Sequence, residues 1–210
     1  DTEEKLEKLK RTPAAALGSC RFKLNDIKED DSQYQEIVDI LHKMNIGYFV
    51  YIGGNDSMDT VGKMSRYVKE HQMDVKVIGI PKTIDNDIWG TDMTFGFQSA
   101  LEIATNAIDC IHTTAASHGR VFIVEIMGHK VGSLTLNAGV AGGADVILIP
   151  EIPYDINKVV EAIQKRNKAG KRFTILAVAE GAISKEDAEL PKKKYKEKLA
   201  ERAKKYPSVS

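Results

Sequence analysis

Between residues 31 and 180, apolar positions fall alternately at helical spacing and in short unbroken runs. In "DSQYQEIVDILHKMN", Ile37, Ile40, Leu41 and Met44 recur at helical intervals, and "IGYFVYIGG" follows as an apolar run closed by glycines. The spacing predicts a helix and then a strand. "SMDTVGKMSRYVKEHQ" predicts a second helix with its first turn near Ser57, and "VKVIGIP" a second strand. "FQSALEIATNAIDCIHTTAAS" predicts a long helix with Ala100, Ala104, Ala107, Ile108 and Ile111 along one face. Three further runs, "VFIVEIM", "ADVILIP" and "RFTILAVAEG", are apolar at nearly every residue, the pattern of strands covered on both faces of a parallel sheet. The predicted class is α/β, doubly wound, with mostly parallel sheets and flanking helices. The loop "DNDIWGTDMTFG" reads as a hinge, dividing the chain into 1–96 and 97–210, with Trp89 packed beside it.

Composition narrows the chemistry. The chain's 210 residues are 42% hydrophobic, enough for a real core, and its 30 basic and 30 acidic side chains cancel. A global electrostatic case for nucleic acid or membrane is therefore absent, and any anion site has to be built locally. Cys20 and Cys110 stand apart without CxxC spacing, which suits a reducing compartment and predicts a cytoplasmic protein. No apolar run approaches about 18 residues, and the charged start "DTEEKLEKLK" does not read as a signal peptide. The lysine-rich "KKKYKEKLAERAKKY" reads as a solvated helix, and both ends of the chain read as cut from something longer. His42, His71, His112 and His118 show no metal-ligand spacing.

The unusual polar residues sit in the loops that follow the strands, where ligands bind in sheets of this kind. In "YIGGNDSMD", Gly53 and Gly54 allow close backbone approach, the helix start at Ser57 offers N–H groups to a phosphate, and Asn55 and Asp56 are placed to orient a hydrated Mg²⁺. In "GIPKTIDNDI", Asp85 and Asp87 lie two apart, so an extended loop turns both toward one cavity, where Lys82, Mg²⁺ or both relieve their repulsion. Phosphoryl transfer needs such a set: a carboxylate to take a hydroxyl proton and positive charge to hold phosphoryl oxygens. The same residues also suit a purely structural role, with Thr83, Asp85 and Asn86 making turn contacts and Lys82 solvated.

"GGND", "GIPKTIDNDI", "GFQSALE", "ASHGR", "VEIMGHKVGSLTLNAGVAGGADVILIPE" and "VAEG" occur in an order and spacing that resembles the phosphofructokinase family, from "TPAAALGSCRF" to "VAEGA". The resemblance implies two Rossmann-like lobes, a phosphoryl-donor lobe over 1–96 and a sugar-phosphate lobe over 97–210, each partial. It implies that Asp85 is the general base for the 1-hydroxyl of fructose 6-phosphate. Asp87 would serve the metal and the transferring phosphoryl group, with Thr83 close by. Met127, Gly128 and Glu180 match sugar contacts, and His129 stands where that motif usually has arginine. Arg120 resembles an arginine that reaches a sugar phosphate across a subunit interface, which implies a homodimer or homotetramer, and Arg21 resembles one near the donor phosphates. Mg²⁺ is the implied cofactor, and Asn55 replaces its usual acidic contact with a neutral amide.

For the donor, the family resemblance points through Asp56 and Lys82. ATP-using members resemble "GGDG" and "PGTIDND", with small residues at both places, whereas pyrophosphate-using members carry the aspartate and the lysine. The expectation is a reversible, pyrophosphate-dependent enzyme of glycolysis. The alternatives are the ATP-dependent enzyme and a non-catalytic sugar-phosphate-binding subunit. The family's early glycine-rich turn and a later histidine and arginine motif have no counterpart in this chain.

Overall fold

A computed structural model describes residues 2–14, 16, 18 and 22–205. The elements run α1 (Glu3–Leu9), α2 (Ser32–Lys43), β1 (Tyr48–Gly53), α3 (Asn55–Glu70), β2 (Lys76–Thr83), β3 (Phe95–Gly96) and α4 (Phe97–His118). They continue as β4 (Val121–Ile126), α5 (Ser133–Ala141), β5 (Val146–Leu148), α6 (Ile156–Lys168), β6 (Thr174–Ala179), α7 (Lys185–Ala188) and α8 (Lys192–Lys205). The α/β class is as expected: among the described residues there are two three-stranded sheets, ordered β1-β2-β3 and β4-β6-β5, with helices between the strands. Helix α3 starts at Asn55, two residues before the predicted first turn, so Asn55 and Asp56 belong to the helix rather than to a loop ahead of it.

The chain forms two compact units, Asp1–Tyr51 with Asp56–Gly79, and Ile52–Asn55 with Ile80–Ser210. In the first, Leu24, Tyr34, Val38, Leu41, Met64, Tyr67, Val68 and Val75 form the core. Two tyrosines are buried there because each hydroxyl has an acceptor: Tyr34 donates to the Asn25 carbonyl at 2.5 Å and Tyr67 to Gln35 Oε1 at 2.9 Å. In the second unit, Phe97, Ile108 and Ala115 of α4 and Leu134 and Ala138 of α5 pack on Ile126, Ile175 and Ala177.

The expectation that all three late strands are covered on both faces holds only for β6. It lies between β4 and β5 and is buried at five of its six residues, whereas β4 alternates exposed and covered positions. The reason is position: an outer strand of this sheet has helices against one face only among the described residues, so Val121 and Ile123 stay exposed while Phe122 and Val124 pack inward.

Parallel register has a functional consequence. Ile126 pairs with Ala179, so the residues leaving β4 and β6, Met127 and Glu180, emerge side by side. At β2, Lys82 pairs with Phe95 and Thr83 with Gly96, which brings the loop from 84 to 94 back to its starting point.

Helix α8 buries none of its residues and is held through charge instead. Asp187, 5% exposed, pairs with Lys198 and, at 3.2 Å, with Arg202. The Lys198 hydrogen bond, with Arg202 adding, holds the Asp187 carboxyl below its ordinary range against the opposing effect of burial. A depressed folded-state value means that this contribution is present above the unfolded carboxylate range and is lost as pH falls through the folded one. Asp187→Asn is expected to weaken docking of α8 by about 2 kcal/mol, the scale of a hydrogen bond to a charged group. Tryptic cleavage within 192–205 should then quicken roughly tenfold or more at neutral pH; an unchanged cleavage rate would show that the helix is held by something else.

Candidate active site

The site lies in the second unit, at the carboxyl ends of β1, β2, β4 and β6. Asp85 and Asp87 occupy the loop after β2, both half-buried. The Asp85 backbone N–H donates to Thr83 Oγ1 at 3.2 Å, a short turn contact that directs the chain out of β2. Between the aspartates, Asn86 adopts a left-handed conformation with φ 55°. A regular strand would send alternate side chains to one face, but here the left-handed residue bends the loop.

Burial is the largest influence on Asp85, raising its proton affinity, and the charges of Asp87 and Glu180 act in the same direction. His129 and the Thr83 hydroxyl oppose them, and the balance lies above the ordinary value of 3.8. A carboxylate so placed is a better proton acceptor than one in water, which is what a general base requires.

Asp87 is organised differently. Its Oδ2 accepts from Asn55 Nδ2 at 2.8 Å, while its Oδ1 is buried with no hydrogen-bond partner among the described residues. A buried carboxylate oxygen without a donor is costly unless something positive approaches it. Among the described residues no group of three or more His, Cys, Asp or Glu is placed to hold a metal ion. Mg²⁺ does not need such a cage, since it keeps several waters and takes one or two carboxylates together with phosphate oxygens. Asp87 Oδ1 fits that mode of binding. Asn55 is joined to Asp87 through its amide nitrogen, leaving its carbonyl oxygen as the group able to face a metal.

Across the site, Glu180 Oε1 accepts from the Gly128 N–H at 3.2 Å and from the His129 N–H. One carboxylate oxygen thereby holds the Met127–His129 loop. Gly128 is required by space, because a Cβ there would lie 2.5 Å from the Val131 carbonyl oxygen. His129 is exposed and left-handed, with φ 50°, and Met127 is 61% exposed.

The remaining predicted residues fall in several places. Gly53 ends β1 and is buried, and Gly54 lies with its backbone beside the Lys82 carbonyl. Lys82, at the end of β2, is exposed and makes no ion pair among the described residues. Asp56 and Ser57, in the first turn of α3, belong to the first unit, where Asp56 pairs with Lys23 at 3.2 Å on an open surface. Arg120 precedes β4, at the opposite end of that strand from Met127, roughly 20 Å away along an extended chain. Within one chain it is not brought to Asp85. Arg21 lies outside the described residues. Trp89 is not packed beside a hinge, as its size suggested, but is 97% exposed, because it projects from the outer part of the loop while its neighbour Ile88 takes the buried position.

Two residues here escape a reading of the sequence, Thr94 and Gly181, while Asn86, expected to make turn contacts, makes them and also bends the link between the aspartates. Thr94 is 2% exposed and bonds back to the start of the loop. Gly181 follows Glu180 so closely under His129 that a Cβ would lie 2.2 Å from the His129 carbonyl oxygen. Only the dipeptide "EG" hinted at the last, as a glycine beside a charged residue at a strand end.

The phosphofructokinase family profile matches residues 1–208. The chain belongs to the phosphofructokinase family. It is 49% identical over 183 residues to an "ATP-dependent 6-phosphofructokinase" of Spirochaeta thermophila, covering 84% of this chain and 48% of that protein. It is 44% identical over 186 residues to "ATP-dependent 6-phosphofructokinase 3" of Bacteroides thetaiotaomicron, covering 87% and 54%. Among solved structures it is similar to a "Pyrophosphate-dependent phosphofructokinase" of Marinobacter aquaeolei, with TM-score 0.75 and 29% identity over 95% of this chain and 52% of that one. This phosphofructokinase chain thus spans about half the length of the curated relatives it matches. No helix among its described residues is long and apolar enough to cross a membrane.

Proposed function

We propose that the intact protein carrying this chain transfers a phosphoryl group from ATP to the 1-hydroxyl of fructose 6-phosphate, giving fructose 1,6-bisphosphate in glycolysis. The observation that carries this reading is Asp85: a half-buried carboxylate of raised proton affinity, next to Asp87 with its unpartnered buried oxygen. In the reaction, Asp85 takes the hydroxyl proton as the sugar oxygen forms its bond to phosphorus. The bond from phosphorus to the bridging oxygen breaks, and the leaving diphosphate keeps the electron pair. Asp87 Oδ1, with the Asn55 carbonyl, would hold Mg²⁺, which when bound neutralises phosphoryl charge. The Glu180-held Met127–His129 loop would line the sugar, with Lys82 supplying positive charge near the reacting groups. Gly53 and Gly54, at the end of β1, would receive donor phosphates.

ATP leads because the relatives named for it are 49% and 44% identical, against 29% for the structure named for pyrophosphate. The second reading is pyrophosphate, favoured by Asp56 and Lys82, whose charges suit a small inorganic donor better than the α-phosphate of a nucleotide. The Asp56–Lys23 pair at 3.2 Å weakens that objection to ATP by placing a cation beside the carboxylate. Initial rates with each donor decide. We expect kcat/KM for ATP to exceed that for pyrophosphate by at least about tenfold, or 1.4 kcal/mol; the opposite order would overturn ATP and install pyrophosphate. Absence of turnover with both donors, despite tight sugar-phosphate binding by calorimetry, would instead identify a non-catalytic subunit.

The division into a donor part at 1–96 and a sugar part at 97–210 belongs to the same proposal. So does a homodimer or homotetramer, in which Arg120 serves a site in a neighbouring subunit, and a cytoplasmic setting.

A further inference from the structure

We propose that Thr94 is a positioning residue for the phosphoryl-transfer loop, acting through Thr83 and Asn86. The proposal rests on the reading of Asp85 as general base.

Thr94 closes the loop at both levels of its structure. Its hydroxyl donates to the Thr83 carbonyl at 2.8 Å, spanning eleven positions of sequence, and its backbone N–H donates to Asn86 Oδ1 at 2.9 Å. The hydroxyl also lies 3.2 Å from Asn86 Oδ1, but it has one proton and the Thr83 carbonyl is nearer. Asn86 in turn donates from Nδ2 to the Asp92 carbonyl at 3.3 Å. Thr94 is 2% exposed, so water does not replace a bond that is lost there.

The geometry explains why this matters for Asp85. Asp85 is enclosed between the two anchored residues: Thr83 Oγ1 accepts its backbone N–H, and Asn86, the next residue, is held left-handed by the contacts just described. Left-handed backbone is disfavoured for most residues with a side chain and least so for asparagine, whose amide here is fixed by its contacts to Thr94 and Asp92. The parallel pairing of Thr83 with Gly96 fixes the base of the loop, and Thr94 fixes its crown to that base. Without the hydroxyl, the peptides on either side of Asp85 are free to relax. A displacement of about 1 Å at a reacting group costs on the order of a hundredfold in rate.

The test is Thr94→Val, which keeps the branched shape and removes the hydroxyl, with Thr94→Ser as the conservative variant, both in the intact protein. Expected for Thr94→Val is a kcat loss of roughly 30- to 100-fold with the KM for fructose 6-phosphate changed less than about threefold. Faster amide hydrogen exchange confined to a peptide covering 83–95 should accompany it. Thr94→Ser should restore kcat to within about threefold of the parent. Asn86→Gly, which accepts the same backbone conformation while removing the amide, gives a second route to the same kcat loss should Thr94→Val fold poorly. Near-parental kcat in Thr94→Val, or equal impairment in Thr94→Ser, overturns the proposal. A parent protein without turnover defeats the catalytic reading, and the exchange measurement then decides the staple by itself: unchanged exchange in 83–95 overturns it as well.

Discussion

Asp85→Asn in the intact protein should lower kcat by about a thousandfold, within the range contributed by a positioned base, and leave the KM for fructose 6-phosphate within a few-fold. The amide keeps the shape and the backbone contact to Thr83 but has no lone pair basic enough to accept the proton. Two further measurements separate this from a general loss of structure. The first is the pH profile: because burial, Asp87 and Glu180 hold the Asp85 carboxyl above 3.8, the acidic limb of kcat/KM in the parent should lie above the ordinary carboxylate range. In Asp85→Asn that limb should disappear from the residual rate. The second is stability, where the sign is opposite to that of a salt-bridged carboxylate. A folded-state value raised above the unfolded one means that the favourable contribution is complete below the unfolded value and is lost as pH rises through the folded one. At neutral pH the charged Asp85 therefore opposes folding, so Asp85→Asn should melt at the same temperature as the parent or higher. Near-normal turnover would remove Asp85 from the base role. A lowered melting temperature would show that its charge is better compensated than its neighbours indicate.

Gly181→Ala should lower kcat/KM about a hundredfold, and mainly through the KM for the sugar phosphate. A Cβ at Gly181 would lie 2.2 Å from the His129 carbonyl oxygen and 3.3 Å from its carbon, both backbone atoms that no side-chain rotation can move away. The peptide following His129 must therefore shift. His129 is already left-handed at φ 50°, so it has little room to absorb the change, and the Gly128 and His129 N–H groups are drawn off Glu180 Oε1. Glu180 and His129 both act on Asp85, the first raising and the second lowering its proton affinity, so the acidic limb of the pH profile should move as well. An overpacked site of this kind costs about 1–3 kcal/mol, visible as a lower melting temperature. Parental KM and an unmoved pH profile would mean that the Met127–His129 loop does not contact the sugar.

The contrast between these two positions shows what kind of residue a sequence discloses. Asp85 stands out in "PKTIDNDI" because a pair of carboxylates two apart, beside a lysine and after an apolar strand, is an unusual concentration of charge at the end of a strand. Gly181 and Thr94 carry no such mark. A glycine after a glutamate and a threonine before a phenylalanine are ordinary in any loop, and their importance comes from which backbone carbonyl happens to lie over them. The 0% exposure of Ile108 and Ile175 was legible only as apolar character; that they share one core follows from α4 lying on the β4-β6-β5 sheet. The same limit applied to Trp89. Its size argued for packing, yet the burial in that segment belongs to Ile88, because a loop bent at Asn86 turns successive side chains in directions that no strand or helix period describes.

By itself the sequence determined the alternation of helix and strand, the parallel α/β class, the loops that carry the polar residues and the membership of a phosphofructokinase family. The first three are properties of local spacing and composition, since apolar period and residue type act within a few residues of one another; the family shows as a resemblance in the order of motifs along the chain. The tertiary structure alone decided that β6 is the covered strand, that Glu180 meets Gly128 and His129, that Asp87 keeps one buried oxygen unpartnered, and that Thr94 ties the loop after β2 to Thr83. Each depends on which residues the fold brings together from distant parts of the chain, and on distances that one-dimensional spacing does not contain.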